Sequence, residues 1–320
     1  MKGKTQILRL RDRRLLEFAE YGDPAGEPLL YFHGYFGSYH QASVAHEAAK
    51  RNGIRVIAPN RPGIGRSSPM QYAMMTQYAD DIAQLMDHLK METFAIMGAS
   101  GGGCYGLATA YALPHRVRIT GICGAIGPMN VLNNLQQMKW IRRIFLKSCH
   151  RYPFAMKWFM KGVFATCMRY PRWSYEWIVL RSSDMERKLL IRNDVQQVLW
   201  NDYESIFLQP NGVQGLLEEA RMYFHWGFDL RDFPEDKRVI FWHGKNDNVV
   251  PLATLKNVFR KLRHAKAIPC PGTHLSFLVN DMDAILRRLK SEWQPSMERN
   301  EPVPMEEIFF DPLTVSQAIV

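Results

Sequence analysis

Long apolar runs and paired cysteines are missing from this sequence. No stretch of about 18 or more apolar residues occurs, and no apolar run follows the basic N-terminal segment. Cysteine is sparse, and its five positions show no C-x-x-C spacing: Cys104, Cys123, Cys149, Cys167 and Cys270. These absences argue against a membrane span, a secretory signal and a disulfide scaffold, so we expect a soluble cytoplasmic protein.

Acidic residues are scarce in one long part of the chain. No Asp or Glu occurs between Glu92 and Glu176, and the chain of 320 residues has a formal net charge of +10. Such a charge favours anionic surfaces or substrates but does not determine a fold. Because 47% of the residues are hydrophobic, the chain can form a substantial core.

Cofactor signatures are missing as well. No pair of His, Cys or carboxylate residues has the spacing of metal ligands. The segment Gly3-Lys4-Thr5 has no upstream glycine that would complete a phosphate-binding P-loop. We therefore expect neither a metal nor a cofactor.

What the sequence does contain is an alternation of short apolar runs and helical patterns. Strands are predicted in TQILRL, LLEFAEY, LLYFHG, IRVIAPN, TFAIMG, ITGICGAIG, RVIFWHG and KAIPC. Helical patterns separate most of them, for example QASVAHEAAKRNG, in which Gly53 is placed to end the helix. This order predicts an α/β fold with a mostly parallel, doubly wound sheet.

A long helical segment interrupts this alternation before the last two strands. We assign residues 1–128 and 233–294 to the two parts of an α/β core and residues 129–232 to an all-helical cap insertion. Residues 295–320 are rich in Pro and Glu and are interpreted as a flexible tail. The alternative for the tail is a segment that docks on the body or on a second copy.

The stretch IMGASGGGCYG, residues 96–106, matches two incompatible motifs. Its glycines fit the G-x-G-x-x-G turn that binds a dinucleotide, and Gly98-Ala99-Ser100-Gly101-Gly102 fits the G-x-S-x-G turn of a nucleophilic serine. A dinucleotide site needs an acidic residue about 20 positions further on, at the end of the next strand. The acid-free segment supplies none, so the serine turn is favoured.

Partners for Ser100 follow at the ends of later strands. A serine hydroxyl needs a histidine that takes its proton and a carboxylate that orients the histidine. Asp247 follows RVIFWHG and His274 follows KAIPC, which is the order Ser, Asp, His expected for a sheet of this kind. Asp229 is a weaker candidate for the acid, and a plain helix N-cap is the alternative role for Ser100.

An oxyanion hole is predicted from two backbone N–H groups. The one of Gly101 directly follows the serine, and the one of Tyr35 lies in the loop HGYFGS after the strand LLYF. His33 and His243 both precede a glycine at a strand end, and we interpret them as hydrogen-bonding residues that shape their loops.

The motifs HGYFGS, RPGIGRSS, GASGG, GKND with VP, and GTH resemble in order and spacing those of the α/β-hydrolase fold. The resemblance spans roughly residues 15–293 and is closest to the capped serine esterase and lipase-like branch. It implies Ser100, His274 and Asp247 as a catalytic triad. One departure is Asn60, where such proteins often have Asp before the Arg-Pro-Gly segment, and this puts the stability of that loop in question.

The predicted cap combines cations with aromatic residues. Every charged residue from Lys139 to Arg172 is basic, and aromatic side chains are interleaved: Trp140, Phe145, Phe154, Trp158, Phe159, Phe164 and Trp173. One interpretation is a two-faced cap with aromatics over the pocket and cations in solvent. The other is weak contact with anionic lipid, as amphipathic basic helices can make. No motif supports nucleic-acid binding.

The function expected from these features is hydrolysis of a small-molecule carboxylic ester through an acyl-enzyme. The aromatic and Met-rich cap favours an apolar or aromatic substrate. The alternative is a ligand sensor of the same fold that keeps the triad but has little turnover. The oligomeric state does not follow from the sequence.

Overall fold

The central element of the structure is a sheet of eight strands. The structure is a computed structural model and describes residues 3–293, so the predicted tail at 295–320 lies outside the described residues. The strands are β1 Lys4–Arg9, β2 Leu15–Gly22, β3 Glu27–Phe32, β4 Ile54–Pro59, β5 Phe94–Ala99, β6 Val117–Cys123, β7 Val239–Gly244 and β8 Ala265–Cys270.

The strand order is β1-β2-β4-β3-β5-β6-β7-β8. The pairs β1–β2 and β2–β4 are antiparallel, and every later pair is parallel. Parallel strands are covered on both faces, which is why β5 and β7 are continuous runs of buried residues. The predicted α/β fold with a mostly parallel, doubly wound sheet is confirmed.

Helices cover both faces of the sheet and fill the long segment between β6 and β7. In the described residues they are α1 His46–Arg51, α2 Tyr78–His88, α3 Gly102–Ala112, α4 Leu132–Gln136, α5 Trp140–Arg151, α6 Pro153–Arg169, α7 Pro171–Arg181, α8 Asp184–Leu190, α9 Asn193–Phe207, α10 Gly212–Met222, α11 Leu252–Phe259, α12 Ser276–Asn280 and α13 Met282–Trp293. None of these helices is both long enough and apolar enough to cross a membrane.

Local sequence accounts for several helix ends. Proline occupies the first turn of α6 and of α7, where its missing N–H and fixed φ are tolerated. The helix predicted at 41–53 is shorter than expected, because Tyr39–Ala45 forms a 3-10 helix capped by the Ser38 hydroxyl and only His46–Arg51 is α-helical. Gly53 follows this helix with a φ of +58°, as predicted for its C-terminal end.

Alternate residues of the central strands pack into two separate cores. Leu30 and Ile96 belong to the core that also includes residues of the inserted helices, and Leu29 and Ala95 belong to the core on the opposite face. This alternation is the consequence of the two-residue period of a strand. Residues of α4, α5, α6, α9 and α10 therefore extend one core beyond the sheet, over its carboxyl edge. The domain boundaries assigned from the sequence stay a prediction.

A buried arginine joins the core to the inserted helices. Arg61, in the loop after β4, donates hydrogen bonds to the carbonyl oxygens of His33 and Gly34 at 2.7 and 2.9 Å and to His33 Nδ1 at 2.7 Å. The same guanidinium lies 2.6 Å from Glu219 Oε1 on α10, and both side chains are only 2% exposed. His33 is thus a hydrogen-bonding loop residue, and the ion pair fixes α10 over the end of β3.

Asn60 is hydrogen-bonded through both polar atoms of its side chain, despite its departure from the family pattern. Its Oδ1 accepts a hydrogen bond from the Tyr39 N–H at 2.7 Å, and its Nδ2 donates one to Glu17 Oε2 at 2.9 Å. Glu17 also accepts hydrogen bonds from Arg66. An amide supplies both a donor and an acceptor here, so the loop is well hydrogen-bonded around a carboxylate that β2 provides.

We expect Glu219→Ala to lower the free energy of unfolding by about 3–5 kcal/mol, because it leaves the buried Arg61 charge without its partner. Urea denaturation measures the change. The matched control is Glu176→Ala, which removes an exposed pair with Arg172 and should lower the free energy of unfolding by less than about 1 kcal/mol. Equal losses in the two variants would contradict the structural role assigned to Arg61.

Candidate active site

Ser100 lies at a sharp turn between a strand and a helix. Strand β5 ends at Ala99 and α3 begins at Gly102. The backbone of Ser100 has a φ of +51°, which is rare for a residue with a side chain, and its N–H donates a 2.7 Å hydrogen bond to the Cys123 carbonyl. This strained conformation directs the hydroxyl away from the sheet edge, as the G-x-S-x-G motif predicts.

The glycines that flank Ser100 are required by space. A Cβ on Gly98 would lie 2.7 Å from the Gly102 carbonyl oxygen, and one on Gly102 would lie 2.2 Å from the Phe32 carbonyl oxygen. Neither distance is tolerated by a real side chain, so the strand, the turn and the helix can approach each other only with glycine at both positions.

His274 and Asp247 meet Ser100 at the carboxyl edge of the sheet. His274 Nε2 lies 2.9 Å from Ser100 Oγ, and its Nδ1 lies 2.7 Å from Asp247 Oδ2. Asp247 follows β7 and His274 follows β8, so two neighbouring parallel strands deliver them to the same edge. The three residues that the sequence singled out are brought together in one hydrogen-bonded chain.

The Asp247 carboxylate is held by hydrogen bonds on both oxygens. Oδ1 accepts from the N–H groups of Val249 and Val250 at 2.8 and 2.9 Å, and Oδ2 faces His274. Burial acts to raise the pKa of Asp247, but hydrogen bonding to His274 and the charges of His274 and His243 outweigh burial and lower it. The carboxylate therefore stays ionised beside the imidazole.

The other candidates have structural roles. Asp229 pairs with Arg231 at 2.9 Å and accepts a hydrogen bond from its N–H, so it caps its own turn. His243 Nε2 donates to the Val250 carbonyl at 2.9 Å and shapes the loop that carries Asp247.

Tyr35 and Gly101 place two backbone N–H groups beside Ser100. A Cβ built on Gly101 would lie 3.3 Å from the Tyr35 nitrogen, so the two residues are immediate neighbours. Within residues 3–293, neither N–H donates to a protein acceptor. Both residues line the same cavity as Ser100. Two free donors at this position can stabilise an oxyanion formed on a carbonyl that Ser100 attacks.

The cavity in front of Ser100 has a volume of about 330 Å³ and mostly apolar walls. The core contributes Ile126, Val249 and Leu278, and the inserted helices contribute a further set, which includes Met138, Phe145, Leu146, Leu189, Val195, Val198 and Leu199. A volume and lining of this kind suit a small apolar ligand.

A second cavity, of about 860 Å³, lies beyond the first among the inserted helices. The two share the wall residues Phe36, Leu199, Asp202, Val249 and Leu275. Of the cap aromatics noted in the sequence, Phe145 and Phe164 line these cavities, and Trp140, Phe154, Trp158, Phe159 and Trp173 are exposed instead. The expectation that the aromatic side chains face the pocket therefore holds for only two of these seven residues.

Asp202 is a polar residue of this site that the sequence reasoning missed. It lies on α9, is 2% exposed and lines both cavities. Its Oδ1 accepts hydrogen bonds from the Ser38 N–H at 2.9 Å and from the Ser38 hydroxyl at 2.6 Å. Burial raises the pKa of Asp202 to about 7, although Ser38 and the Gln41 amide act to lower it. Nothing in the sequence around it distinguishes it from a solvent-facing helix residue.

Comparison with protein families agrees with this fold. Residues 27–281 match the family described as the α/β hydrolase fold. The chain belongs to the α/β hydrolase fold family, and the resemblance recognised in its motifs is confirmed.

Individual relatives are distant. The chain is 32% identical over 205 residues to a 2-hydroxy-6-oxo-2,4-heptadienoate hydrolase of Pseudomonas putida, covering 62% of this chain and 64% of that protein. It is 32% identical over 123 residues to the dihydrolipoyllysine-residue acetyltransferase component of the acetoin cleaving system of Pseudomonas putida, covering 38% and 32%. The chain thus spans less than two thirds of the length of these relatives.

Solved structures of the same fold include two hydrolytic enzymes. A thermophilic esterase from Thermogutta terrifontis aligns with a TM-score of 0.63 at 18% identity over 91% of this chain and 99% of that one. An enol-lactonase from Burkholderia xenovorans LB400 aligns with a TM-score of 0.63 at 16% identity over 90% and 99%. At these identities the likeness establishes the fold alone.

We expect the stability of Asp202→Asn relative to the wild type to depend on pH. The folded-state pKa of Asp202, about 7, lies above the ordinary value of 3.8, so the wild type loses stability as pH rises between them. The asparagine keeps an acceptor for Ser38 without the charge. From pH 5 to pH 8, the free energy of unfolding of the variant should rise by on the order of 2 kcal/mol relative to that of the wild type.

Urea denaturation at both pH values measures this difference. The control is Gln197→Ala, an exposed and uncharged position on the same helix, whose stability difference from the wild type should be the same at both pH values. A pH-independent difference for Asp202→Asn would contradict a buried carboxyl that titrates near neutrality.

Proposed function

We propose that this protein is a serine hydrolase that cleaves carboxylic esters. The observation that carries the proposal is the position of one imidazole. His274 lies within hydrogen-bonding distance of Ser100 Oγ through Nε2 and of Asp247 through Nδ1. A neutral imidazole that donates its Nδ1–H to Asp247 has a free electron pair on Nε2, and this pair can accept the serine proton.

The chemistry proceeds in two halves. Ser100 Oγ attacks the ester carbonyl carbon as His274 Nε2 takes the hydroxyl proton, and the resulting oxyanion accepts hydrogen bonds from the N–H groups of Tyr35 and Gly101. His274 then returns the proton to the departing alcohol, which leaves an acyl-serine. Water then attacks the acyl group as His274 takes its proton, the bond to Ser100 Oγ breaks, His274 returns the proton to Oγ, and the acid is released. This sequence requires no cofactor.

The cavity in front of Ser100 supports an apolar acyl or alcohol group. Its walls are largely aliphatic and aromatic, and the second cavity offers further room for a longer group. The names of some relatives are compatible with hydrolysis, since one is a 2-hydroxy-6-oxo-2,4-heptadienoate hydrolase and one structural neighbour is an esterase.

A fluorophosphonate probe should label this protein once, at Ser100, because the probe reacts with an activated serine hydroxyl. Peptide mapping identifies the labelled residue. The wild type should hydrolyse p-nitrophenyl esters at a steady rate, and Ser100→Ala should lower kcat/KM by a factor on the order of 10⁴ or more. A label at any other residue, or no label, would overturn the proposal.

Two aspartates provide a matched pair of variants for this assay. Asp247→Asn should lower kcat/KM by on the order of 10³–10⁴, because the histidine loses the partner that sets its tautomer. Asp229→Asn changes the same chemical group in a surface turn and should stay within about twofold of the wild type. A single slow turnover followed by a ligand-dependent shift in melting temperature would favour a ligand sensor instead.

A further inference from the structure

Large apolar side chains cover the outside of helices α5–α7. Seven of them are each at least 59% exposed: Trp140, Ile141, Phe154, Trp158, Phe159, Trp173 and Leu180. Helix α7 has no buried residue at all, and α6 buries only Met160. Single exposed apolar side chains are common on protein surfaces, but exposed apolar surface of this extent indicates a binding surface. We call it the α5–α7 face.

The charge of the α5–α7 face indicates what binds there. All charged residues from Lys139 to Arg172 are basic, and the only acid between residues 140 and 181 is Glu176. Some cations lie against the aromatic rings, as Lys161 does 5.5 Å from the centre of Trp158 and Arg181 does 4.5 Å from the centre of Trp177. Cations mixed with aromatic side chains are typical of surfaces at the boundary between headgroups and hydrocarbon.

Two other occupants fit this face less well. A second copy of the chain would bring the same basic surface against itself, since a two-fold contact is self-complementary, and like charges would repel. A nucleic acid would neutralise the cations but would leave aliphatic side chains such as Leu180 without an apolar partner. An anionic lipid surface satisfies both the charge and the apolar groups.

We propose that the α5–α7 face binds the surface of membranes that contain anionic lipids. The helices lie in the plane of the interface, with aromatic side chains at the level of the headgroups and cations against lipid phosphates. Met168, Pro171 and Ile178 are exposed on these helices and also line the 860 Å³ cavity. On the basis of the proposed function, a bound membrane would then deliver apolar esters to the cavity.

Vesicle sedimentation with the full chain tests the docking. At low salt, the wild type and Ser100→Ala should both bind phosphatidylcholine vesicles that contain phosphatidylglycerol, and added salt should release them. Pure phosphatidylcholine vesicles should bind at least about tenfold more weakly. The double variant Lys161→Glu and Arg169→Glu should lower the partition coefficient by at least about tenfold. Trp158→Ala with Trp173→Ala should lower it severalfold.

The control variant replaces two exposed cations of the core with glutamate, Arg9→Glu on β1 and Lys50→Glu on α1. It should change vesicle binding by less than about twofold. If the core double variant lost as much vesicle binding as the variant with Lys161→Glu and Arg169→Glu, the attraction would be non-specific and the proposal would be overturned. An absence of binding at low salt would also overturn it, as would a dimer in analytical centrifugation that the tryptophan variants dissociate. Because Ser100→Ala is expected to bind as the wild type does, the test is independent of catalysis.

A second inference comes from the free oxygen of Asp202. Oδ1 accepts hydrogen bonds from Ser38, and the Gln41 amide lies near the carboxyl and acts to lower its pKa, but Oδ2 is buried and no described residue is within hydrogen-bond geometry of it. A buried carboxyl oxygen without a donor is unfavourable, so its retention calls for an explanation. Asp202 stands in the wall shared by the two cavities, where a bound molecule that extends from one cavity to the other passes it.

We infer that Asp202 Oδ2 binds a hydroxyl group on the substrate's apolar chain. This inference rests on the proposed ester hydrolysis and names a class of ester for it. A hydroxyl is neutral and enters an apolar cavity at a smaller desolvation cost than a cation does. It can also donate to a carboxylate or accept from a protonated carboxyl, so it pairs with Asp202 in either protonation state.

The test uses p-nitrophenyl esters of medium-chain fatty acids that carry one hydroxyl, moved carbon by carbon along the chain. Each is compared with the unsubstituted ester of the same length. In the wild type, kcat/KM should be about tenfold higher for the hydroxylated ester at one or two adjacent positions. Asp202→Asn should reduce this preference at least severalfold. Ser38→Ala, which removes a bond to Oδ1 but leaves Oδ2, should keep it.

The outcomes distinguish an error in the role of Asp202 from an error in the proposed ester hydrolysis. If the wild type cleaves esters without preferring any hydroxyl position, or if Ser38→Ala loses the preference as fully as Asp202→Asn does, the assignment of Asp202 is wrong and the proposed hydrolysis stands. If no ester is cleaved and Ser100 resists the fluorophosphonate probe, both are overturned.

Discussion

The buried charge of Arg61 is the constraint on which the rest of the site depends. Its guanidinium holds the carbonyl oxygens of His33 and Gly34 and the carboxylate of Glu219, and it lies 4.9 Å from the ring centre of Tyr105 on α3. A charge cannot stay buried without partners, so these segments must close around it together. The loop that carries Tyr35, the helix that follows Ser100 and helix α10 therefore share one anchor.

A second contact joins the inserted helices to the core, and this contact also forms part of the wall shared by the two cavities. Asp202 on α9 accepts two hydrogen bonds from Ser38, which lies in the same loop as Tyr35. The loop is thus held by Arg61 on one side and by the inserted helix α9 on the other. The Tyr35 N–H is positioned by both contacts, and the two cavities meet where Asp202 of α9 touches the core.

Much of the fold and the meeting of Ser100, Asp247 and His274 could be predicted because their signals are local or ordered along the chain. The buried strands are short apolar runs, and in a parallel sheet the residues that follow each strand reach one edge, so chain order alone brings Ser100, Asp247 and His274 together. Helix α1 was overestimated, because the Ser38 cap favours a 3-10 turn that helical periodicity does not reveal. Asp202 and Glu219 were not found, because a buried acid on an amphipathic helix has the same spacing as an exposed one.

The amino-acid sequence by itself therefore determined the class of fold, the turn at Ser100 and the identity of its partners, since these follow from strand periodicity, glycine spacing and chain order. Only the tertiary structure decided which acids are buried, where the cavities meet and which aromatic side chains face outward. Those properties depend on contacts between segments far apart in the chain. Trp158 and Phe164 are both aromatic and lie on the same helix, yet one is exposed and the other lines a cavity, because Phe164 packs against Phe207 of α9 whereas Trp158 lies on the outer side of α6.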